Sequence, residues 1–245
     1  MTIGKPSGVS AGGYGIMLRP MPSTLVSTQN KPILIVFLEN GGHVAGVDLP
    51  ACAARLLDWS TEEYGKLAVR LQARRHYRRI VVLEDQVATA AALWQALLAV
   101  DDAIVDVLLL VHGQPGYACG CADHWVGADF FDGLRQLRAA NQARFRLRVV
   151  YQMNCYGYSL AEEWLSLGAQ AVNGAVGVNW LPEPSLSVFL ANWLGGQAFG
   201  DSVERSYRVA SRLLGLVWRP QLDSPHEKIA SSEMEVFGDR NLCSA

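Results

Sequence analysis

The sequence predicts an α/β fold in which helices cover both faces of a mostly parallel sheet. Short apolar runs alternate with segments whose apolar residues recur at helical spacing. Two of the runs, 105–111 and 146–153, are apolar almost throughout, which is typical of strands buried on both faces. Half of the 245 residues are hydrophobic, so a large core is available. We expect a flexible lead-in over 1–30, rich in Gly, Ser, Thr and Pro, and a single domain over 31–245.

Each element follows from a local pattern. Apolar runs of strand length predict six strands, at 32–39, 77–84, 105–111, 146–153, 171–178 and 234–238. Helical spacing predicts helices at 49–58, 61–75, 88–100, 128–143, 158–167, 187–194 and 201–214. The remaining segment, 114–127, is interpreted as a mobile loop that controls activation or substrate access. Its Cys119, Cys121 and His124 fall short of the two ligand pairs of a structural zinc site, so no metal is predicted.

Charge and cysteine content exclude several classes of function. The net charge of −2 argues against a nucleic-acid surface, and no apolar run reaches the length of a membrane span, roughly 18 residues. The N-terminus lacks the apolar segment of a secretory signal. Five cysteines at irregular spacing then predict reduced thiols and a cytoplasmic location.

A cysteine and a histidine lie where chemistry is expected. His112-Gly113 ends the third strand and Cys155 ends the fourth, and ligands of open α/β sheets bind beyond the carboxyl ends of strands. The helix predicted after Cys155 would favour a thiolate there, and His112 could act as acid or base. The N–H groups of Gly113 and Cys155 could form an oxyanion hole. The alternative is a buried apolar cysteine and a histidine in a turn.

In this arrangement the sequence resembles the caspase-like cysteine peptidases, over residues 32–242. Their catalytic His-Gly ends the third core strand and their catalytic cysteine ends the fourth. Flanking similarities lie at Ala88-Thr89, Phe189, Trp193, Gly196 and 236–239. The resemblance implies an α/β/α sandwich with a six-stranded, mostly parallel sheet.

The resemblance also implies a function. Cys155 would be the nucleophile of a cysteine endopeptidase, His112 its acid/base, and Gly113 part of the oxyanion hole. The substrate would be a protein or peptide, and a regulatory protein partner is a further expectation. No metal or organic cofactor is expected, and neither is a nucleic-acid or membrane partner.

Departures from the family concern specificity. Met153 occupies the position where caspases usually carry Gln and metacaspases Asp. The loop after the first strand has no arginine, so cleavage after aspartate is not predicted. Glu183 could instead bind a basic residue, although a surface glutamate is the simpler interpretation. Trp180 could line a substrate pocket or pack against the sheet.

Two other classes of function remain open. An α/β-hydrolase would use Cys155, Asp201 or Asp223, and His226, but the bulky Met153 does not suit its nucleophile turn. A catalytically silent caspase-like module could instead bind partners within a larger assembly. Replacement of His226 tests the first class, and the reactivity of Cys155 tests the second.

Overall fold

A computed structural model describes residues 31–39, 63, 65–100, 102–216, 218 and 224–244. The predicted lead-in over 1–30, the predicted helix over 49–58 and the start of the helix over 61–75 lie outside these residues.

The described chain builds one six-stranded sheet, as the sequence predicts. Its strands are β1 Ile33–Glu39, β2 Arg79–Glu84, β3 Ile104–Val111, β6 Arg146–Gln152, β7 Ala171–Ala175 and β8 Met234–Gly238. Their order is β2-β1-β3-β6-β7-β8. All neighbours are parallel except β7 and β8, which are antiparallel. The prediction of an α/β fold with a mostly parallel sheet is therefore confirmed.

Both faces of the sheet are buried because successive side chains of a strand point to opposite sides. Along β1, Ile33, Ile35 and Phe37 enter one apolar cluster, and Leu34 and Val36 enter a second one on the other face. A continuous apolar run therefore serves both clusters.

Helices pack on each face. They are a helix over 65–73 (α1), α2 Ala90–Leu98, α3 Ala128–Ala139, α4 Ala161–Ser166, α5 Ser185–Leu194, α6 Phe199–Leu214 and α7 Glu227–Ser231. The first apolar cluster lies under α2, α3 and α4, and the second lies under α1, α5 and α6. Within the described residues, every helix is too short or too polar to span a bilayer.

Four predicted segments differ in the structure, and one of them, the helix predicted over 128–143, ends at Ala139. The strand predicted over 171–178 ends at Ala175, and the helix predicted over 158–167 is a 3-10 turn, Gly157–Leu160, followed by α4. The segment predicted as a mobile loop forms a hairpin of β4 Gly113–Gln114 and β5 Tyr117–Ala118. Ala118 and Val126 are fully buried in that segment, and such packing argues against a mobile activation loop.

A buried ionic network lies at the opposite, amino-terminal ends of β3 and β6. Arg148 donates to both carboxylate oxygens of Asp106, at 2.9 and 2.7 Å. Tyr77 donates to the same carboxylate at 2.6 Å. Arg148 also donates to the carbonyl of Ser244, which fixes the last described residues against the sheet.

Candidate active site

The order of the strands brings the predicted cysteine and histidine to adjacent strand ends. β3 ends at Val111, and His112 follows it directly. The neighbouring β6 ends at Gln152, three residues before Cys155. The pairing continues past the strand end, because the N–H of Met153 donates to the carbonyl of Leu109 at 2.9 Å. His112-Gly113 and Cys155 therefore leave the sheet side by side at its carboxyl edge.

Gly113 lies directly against the cysteine turn. A Cβ atom at this position would lie 2.3 Å from the carbonyl oxygen of Cys155 and 2.9 Å from Nδ2 of Asn154. Both distances are shorter than any normal contact of a carbon atom, so only glycine allows the two backbones to approach this closely.

The β4–β5 hairpin turns the N–H of Gly113 away from its own partner strand. The N–H of Cys119 donates to the carbonyl of His112 at 2.9 Å, which makes this pair a hydrogen-bonded one. Hydrogen-bonded and non-hydrogen-bonded pairs alternate along an antiparallel ladder. The next pair, Gly113 and Ala118, is therefore not hydrogen-bonded, and the N–H and carbonyl groups of both residues point away from the opposite strand. Ala118 does so by exchanging two hydrogen bonds with Val126. The N–H of Gly113 points outwards on the other side, towards Cys155.

The turn that carries Cys155 is held by backbone hydrogen bonds. Tyr156 has a positive φ of 55°, which is unfavourable for a residue with a side chain and reverses the chain immediately after the cysteine. The N–H of Tyr156 donates to the carbonyl of Gly177 at 2.7 Å. The carbonyl of Tyr156 accepts from both the N–H and the hydroxyl of Ser159. These bonds fix the position of the thiol.

Asn179 joins a third strand end to the site. It lies in the β7 loop, which we define as residues 176–184. Its Nδ2 donates to the carbonyl of Met153 at 2.8 Å, and its Oδ1 accepts from the N–H of Leu181. Its backbone N–H reaches the thiol of Cys155. Sequence reasoning missed this residue, although a polar side chain just beyond a buried strand was a usable signal.

Burial and backbone N–H groups have opposite effects on the Cys155 thiol. Burial raises its pKa above the ordinary value, because the thiolate loses hydration. The N–H groups of Asn179, Cys155 and Gly113 act in the opposite direction by donating to the sulfur. Burial is the larger effect, so the pKa of the thiol lies above its ordinary value, whereas the sequence predicted that a following helix would favour the thiolate.

The structure places the predicted specificity residues in three different settings. The side chain of Met153 is 7% exposed and belongs to the apolar cluster under α5 and α6. Trp180 follows Asn179 directly, and the ammonium group of Lys228 lies 4.5 Å from its ring centre. The carboxylate of Glu183 accepts from the N–H and hydroxyl of Ser187, in the first turn of α5. Trp180 is therefore connected to the cysteine turn, whereas Glu183 serves helix α5.

The residues of the alternative hydrolase triad have other contacts. Nδ1 of His226 accepts from the N–H of Lys228 at 3.3 Å and so caps α7, and its ring stacks on Trp218. Asp201 is exposed in the first turn of α6. Asp223 lies outside the described residues. In the described part of the chain, no three His, Cys, Asp or Glu side chains cluster as metal ligands would.

Comparison with known proteins identifies the fold. No family model matches the sequence, and no curated protein matches it either. Among solved structures, the chain is similar to the Arg-specific cysteine proteinase gingipain R, with a TM-score of 0.57 and 13% identity over 89% of this chain and 48% of that one. It is similar to the complex of pro- and mature domains of the Porphyromonas gingivalis gingipain, with a TM-score of 0.55 and 14% identity over 89% and 49%.

A secreted C11 cysteine protease of Bacteroides thetaiotaomicron, solved with an irreversible peptide inhibitor, has a TM-score of 0.46 at 13% identity over 74% of this chain and 58% of that one. The chain spans about half the length of the two gingipain structures. The fold is thus that of the caspase-like cysteine peptidases, as the sequence predicted.

Proposed function

We propose that this chain is a cysteine endopeptidase that hydrolyses peptide bonds through Cys155 and His112. The main observation is that Gly113 lies directly against the turn of Cys155, where a Cβ atom would be 2.3 Å from the carbonyl oxygen of Cys155, so the backbone N–H groups of Gly113 and Cys155 lie close to each other. A carbonyl carbon attacked by that sulfur would have its oxygen within reach of the same two donors. Such preorganised donors are the main requirement for stabilising a tetrahedral intermediate.

The proposed reaction has two stages. The sulfur of Cys155 bonds to the carbonyl carbon, and the thiol proton passes to His112, because burial raises the pKa of the thiol and so favours its protonated form. The negatively charged oxygen binds the N–H groups of Gly113 and Cys155. The bond to nitrogen then breaks as His112 protonates the leaving amine, which leaves a thioester acyl-enzyme. Water attacks the thioester, releases the carboxylic acid and restores the thiol.

The strand order gives the substrate a direction across the site. β6, which carries Cys155, lies between β3 and β7. The leaving amine must lie on the β3 side, since His112 must reach its nitrogen. The acyl part of the substrate then lies on the opposite side, against Asn179 and Trp180 of the β7 loop. Met153 and Trp180 remain our proposed walls of the adjoining pocket.

Partners and location follow from the proposed chemistry and from the sequence. The substrate is a protein or peptide, and a regulatory protein partner is part of the proposal. The pro- and mature domains of a gingipain form a complex, which is one precedent for such a partner in this fold. The cytoplasmic location stays a prediction from the sequence.

Labelling with peptide-like electrophiles tests the proposal. Wild type, Cys155→Ala and His112→Ala would be treated with probes carrying acidic, basic and apolar side chains, and labelled sites would be identified by mass spectrometry. We expect fast labelling at Cys155 that falls about 10²-fold or more in His112→Ala. The exposed loop histidine in His124→Ala provides a matched control, and its labelling should equal that of wild type.

Slow labelling spread over Cys119, Cys121 and Cys243 would contradict the proposal. The chain would then be a catalytically silent binding module, for which the burial-raised pKa of Cys155 also provides an explanation. Loss of labelling in His226→Ala, with His112→Ala unaffected, would favour the hydrolase instead.

A further inference from the structure

A positive charge lies between two indole rings next to the candidate site. The Nζ atom of Lys228 is 4.5 Å from the ring centre of Trp180 and 5.3 Å from that of Trp218. Both distances suit cation–π attraction, which holds the ammonium group in place. In the described part of the chain, no carboxylate forms an ion pair with Lys228. The charge therefore remains available to a ligand.

The segment that carries Lys228 is firmly attached to the β7 loop. We define residues 226–233 as the α7 segment. The N–H of Trp180 donates to the hydroxyl of Ser232 at 2.8 Å, and the hydroxyl of Ser231 donates to the carbonyl of Val178 at 2.8 Å. The N–H of Gly177 donates to the carbonyl of Ser231 at 2.9 Å. Lys228 is thus held in a fixed position relative to the β7 loop.

The β7 loop in turn contacts the nucleophile. The side chain of Asn179 donates to the carbonyl of Met153 at 2.8 Å, and the N–H of Tyr156 donates to the carbonyl of Gly177 at 2.7 Å. Trp180 is the next residue after Asn179, so the loop backbone connects the cysteine turn to the indole ring of Trp180 and, through that ring, to the ammonium group of Lys228. In the proposed function the acyl part of the substrate lies against Asn179 and Trp180, so a side chain extending from that part would lie on the same side of the site as Lys228.

Glu183 and Lys228, the two charged residues near Trp180, differ in how far other groups already bind their charged atoms. Glu183, which the sequence suggested for a basic substrate, has its carboxylate bound to the N–H and hydroxyl of Ser187. Burial also raises the pKa of Glu183, so its negative charge is disfavoured. Lys228 contributes a positive charge that no carboxylate pairs with among the residues the structure describes. The local field therefore favours an acidic substrate group over a basic one.

We propose that Lys228, held between Trp180 and Trp218, selects substrates with an acidic side chain among the residues that precede the scissile bond. This inference rests on the proposed function, because the acyl side is defined by His112 acting on the leaving amine. The acid is bound by the α7 segment, near the end of the sequence.

Paired electrophilic peptides test the inference. Each pair carries either Glu or its neutral isostere Gln at one of the three positions before the warhead. For wild type at low salt, we expect the acidic probe of one pair to label Cys155 about tenfold faster than its amide partner. The ratio should fall as salt is added, because screening weakens the attraction. In Lys228→Met the ratio should fall to about 1, and in Lys228→Glu below 1.

Matched controls separate charge from structure. The neutral probe should label Lys228→Met and wild type at similar rates, which shows that the site is intact. Arg208→Met, which removes a cation on α6, should keep the wild-type ratio. A wild-type ratio near 1 at all three positions would overturn the inference, and so would a ratio that is unchanged in Lys228→Met. In either case, labelling of Cys155 by the probes would still support the proposed function.

Absence of labelling by every probe would instead overturn the proposed function. The charge preference would then be measured by equilibrium binding of the same peptides without warheads. Tighter binding of acidic peptides that is lost in Lys228→Met would support Lys228 as an acid-binding residue. Equal affinity for both members of each pair would overturn it.

Discussion

The side-chain amide of Asn179 donates a 2.8 Å hydrogen bond to the carbonyl oxygen of Met153, which ties the β7 loop to the segment that leads from β6 to Cys155. Because Met153 is buried, its carbonyl oxygen cannot accept a hydrogen bond from water instead. Together with the hydrogen bond from the N–H of Tyr156 to the carbonyl of Gly177, this bond sets the distance between the β7 loop and Cys155.

Replacement of Asn179 by Asp tests this bond. The substitution preserves shape but places a carboxylate oxygen against the carbonyl of Met153. We expect the free energy of unfolding to fall by about 1–3 kcal/mol and the labelling rate of Cys155 to fall about tenfold. Urea unfolding and timed labelling measure the two effects. Asn192→Asp is the control, because Asn192 on α5 also donates to a backbone carbonyl, that of Val188, away from the site. Equal labelling rates in the two variants would contradict the assigned role.

Replacement of Gly113 by Ala should inactivate the site. The added methyl group would lie 2.3 Å from the carbonyl oxygen of Cys155, so one of the two backbones must move. Displacement of an oxyanion donor typically costs about 10²-fold in rate, and we expect a loss of that size in labelling by peptide-like probes. Gly116→Asn is the control in the same hairpin, since nothing lies within 4 Å there and Asn tolerates a φ of 81°. Near-normal labelling of Gly113→Ala would argue against the oxyanion hole.

The reactivity of Cys155 towards a small neutral electrophile should depend on pH in a defined direction. Burial raises the pKa of the thiol, so the thiolate fraction at neutral pH is smaller than in a free cysteine. The labelling rate with iodoacetamide should therefore keep rising with pH beyond about 8.5, the ordinary cysteine value. Site-resolved mass spectrometry beside N-acetylcysteine measures the profile. A plateau already reached by about pH 7 would mean that His112 holds a thiolate at rest.

The buried network at the other end of the strands should control stability but not reactivity. Arg148→Met would leave the carboxylate of Asp106, which is 1% exposed, without its cation. We expect a loss of about 3–5 kcal/mol in urea unfolding, with unchanged labelling of Cys155 in the folded protein. Arg146→Met is the control, because its ion pair with Asp102 is exposed and should contribute less than about 1 kcal/mol. Similar losses in both variants would contradict this assignment.

The sequence predicted correctly the features that depend on residues close together along the chain. The apolar run of β1 fills both clusters and has no other stable setting, so its bounds were predicted within one residue. The placement of His112 and Cys155 at the same edge of the sheet also followed from the sequence, because parallel strands end at one edge.

The predicted boundaries of strands and helices were wrong where residues distant in the sequence form hydrogen bonds or contacts with the backbone. The apolar residues Val176 and Val178 leave the sheet because the α7 segment takes their hydrogen bonds. The helix after Cys155 is delayed because Tyr156 reverses the chain and Gly157–Leu160 packs closely on Gly174. The position of Lys228 over Trp180 depends on that same docking of a remote segment, so no local pattern in the sequence could reveal it.

The placement of β6 between β3 and β7 has a consequence for evolution and for engineering. In the proposed function, bond breaking depends on β3 on one side of β6, whereas substrate selection depends on the loop after β7 on the other side. Mutations in 176–184 or in 226–233 could thus diversify what is cut while His112, Gly113 and their hairpin stay untouched. A library of variants confined to those two segments would change the substrate preference while the proposed catalytic residues stay the same.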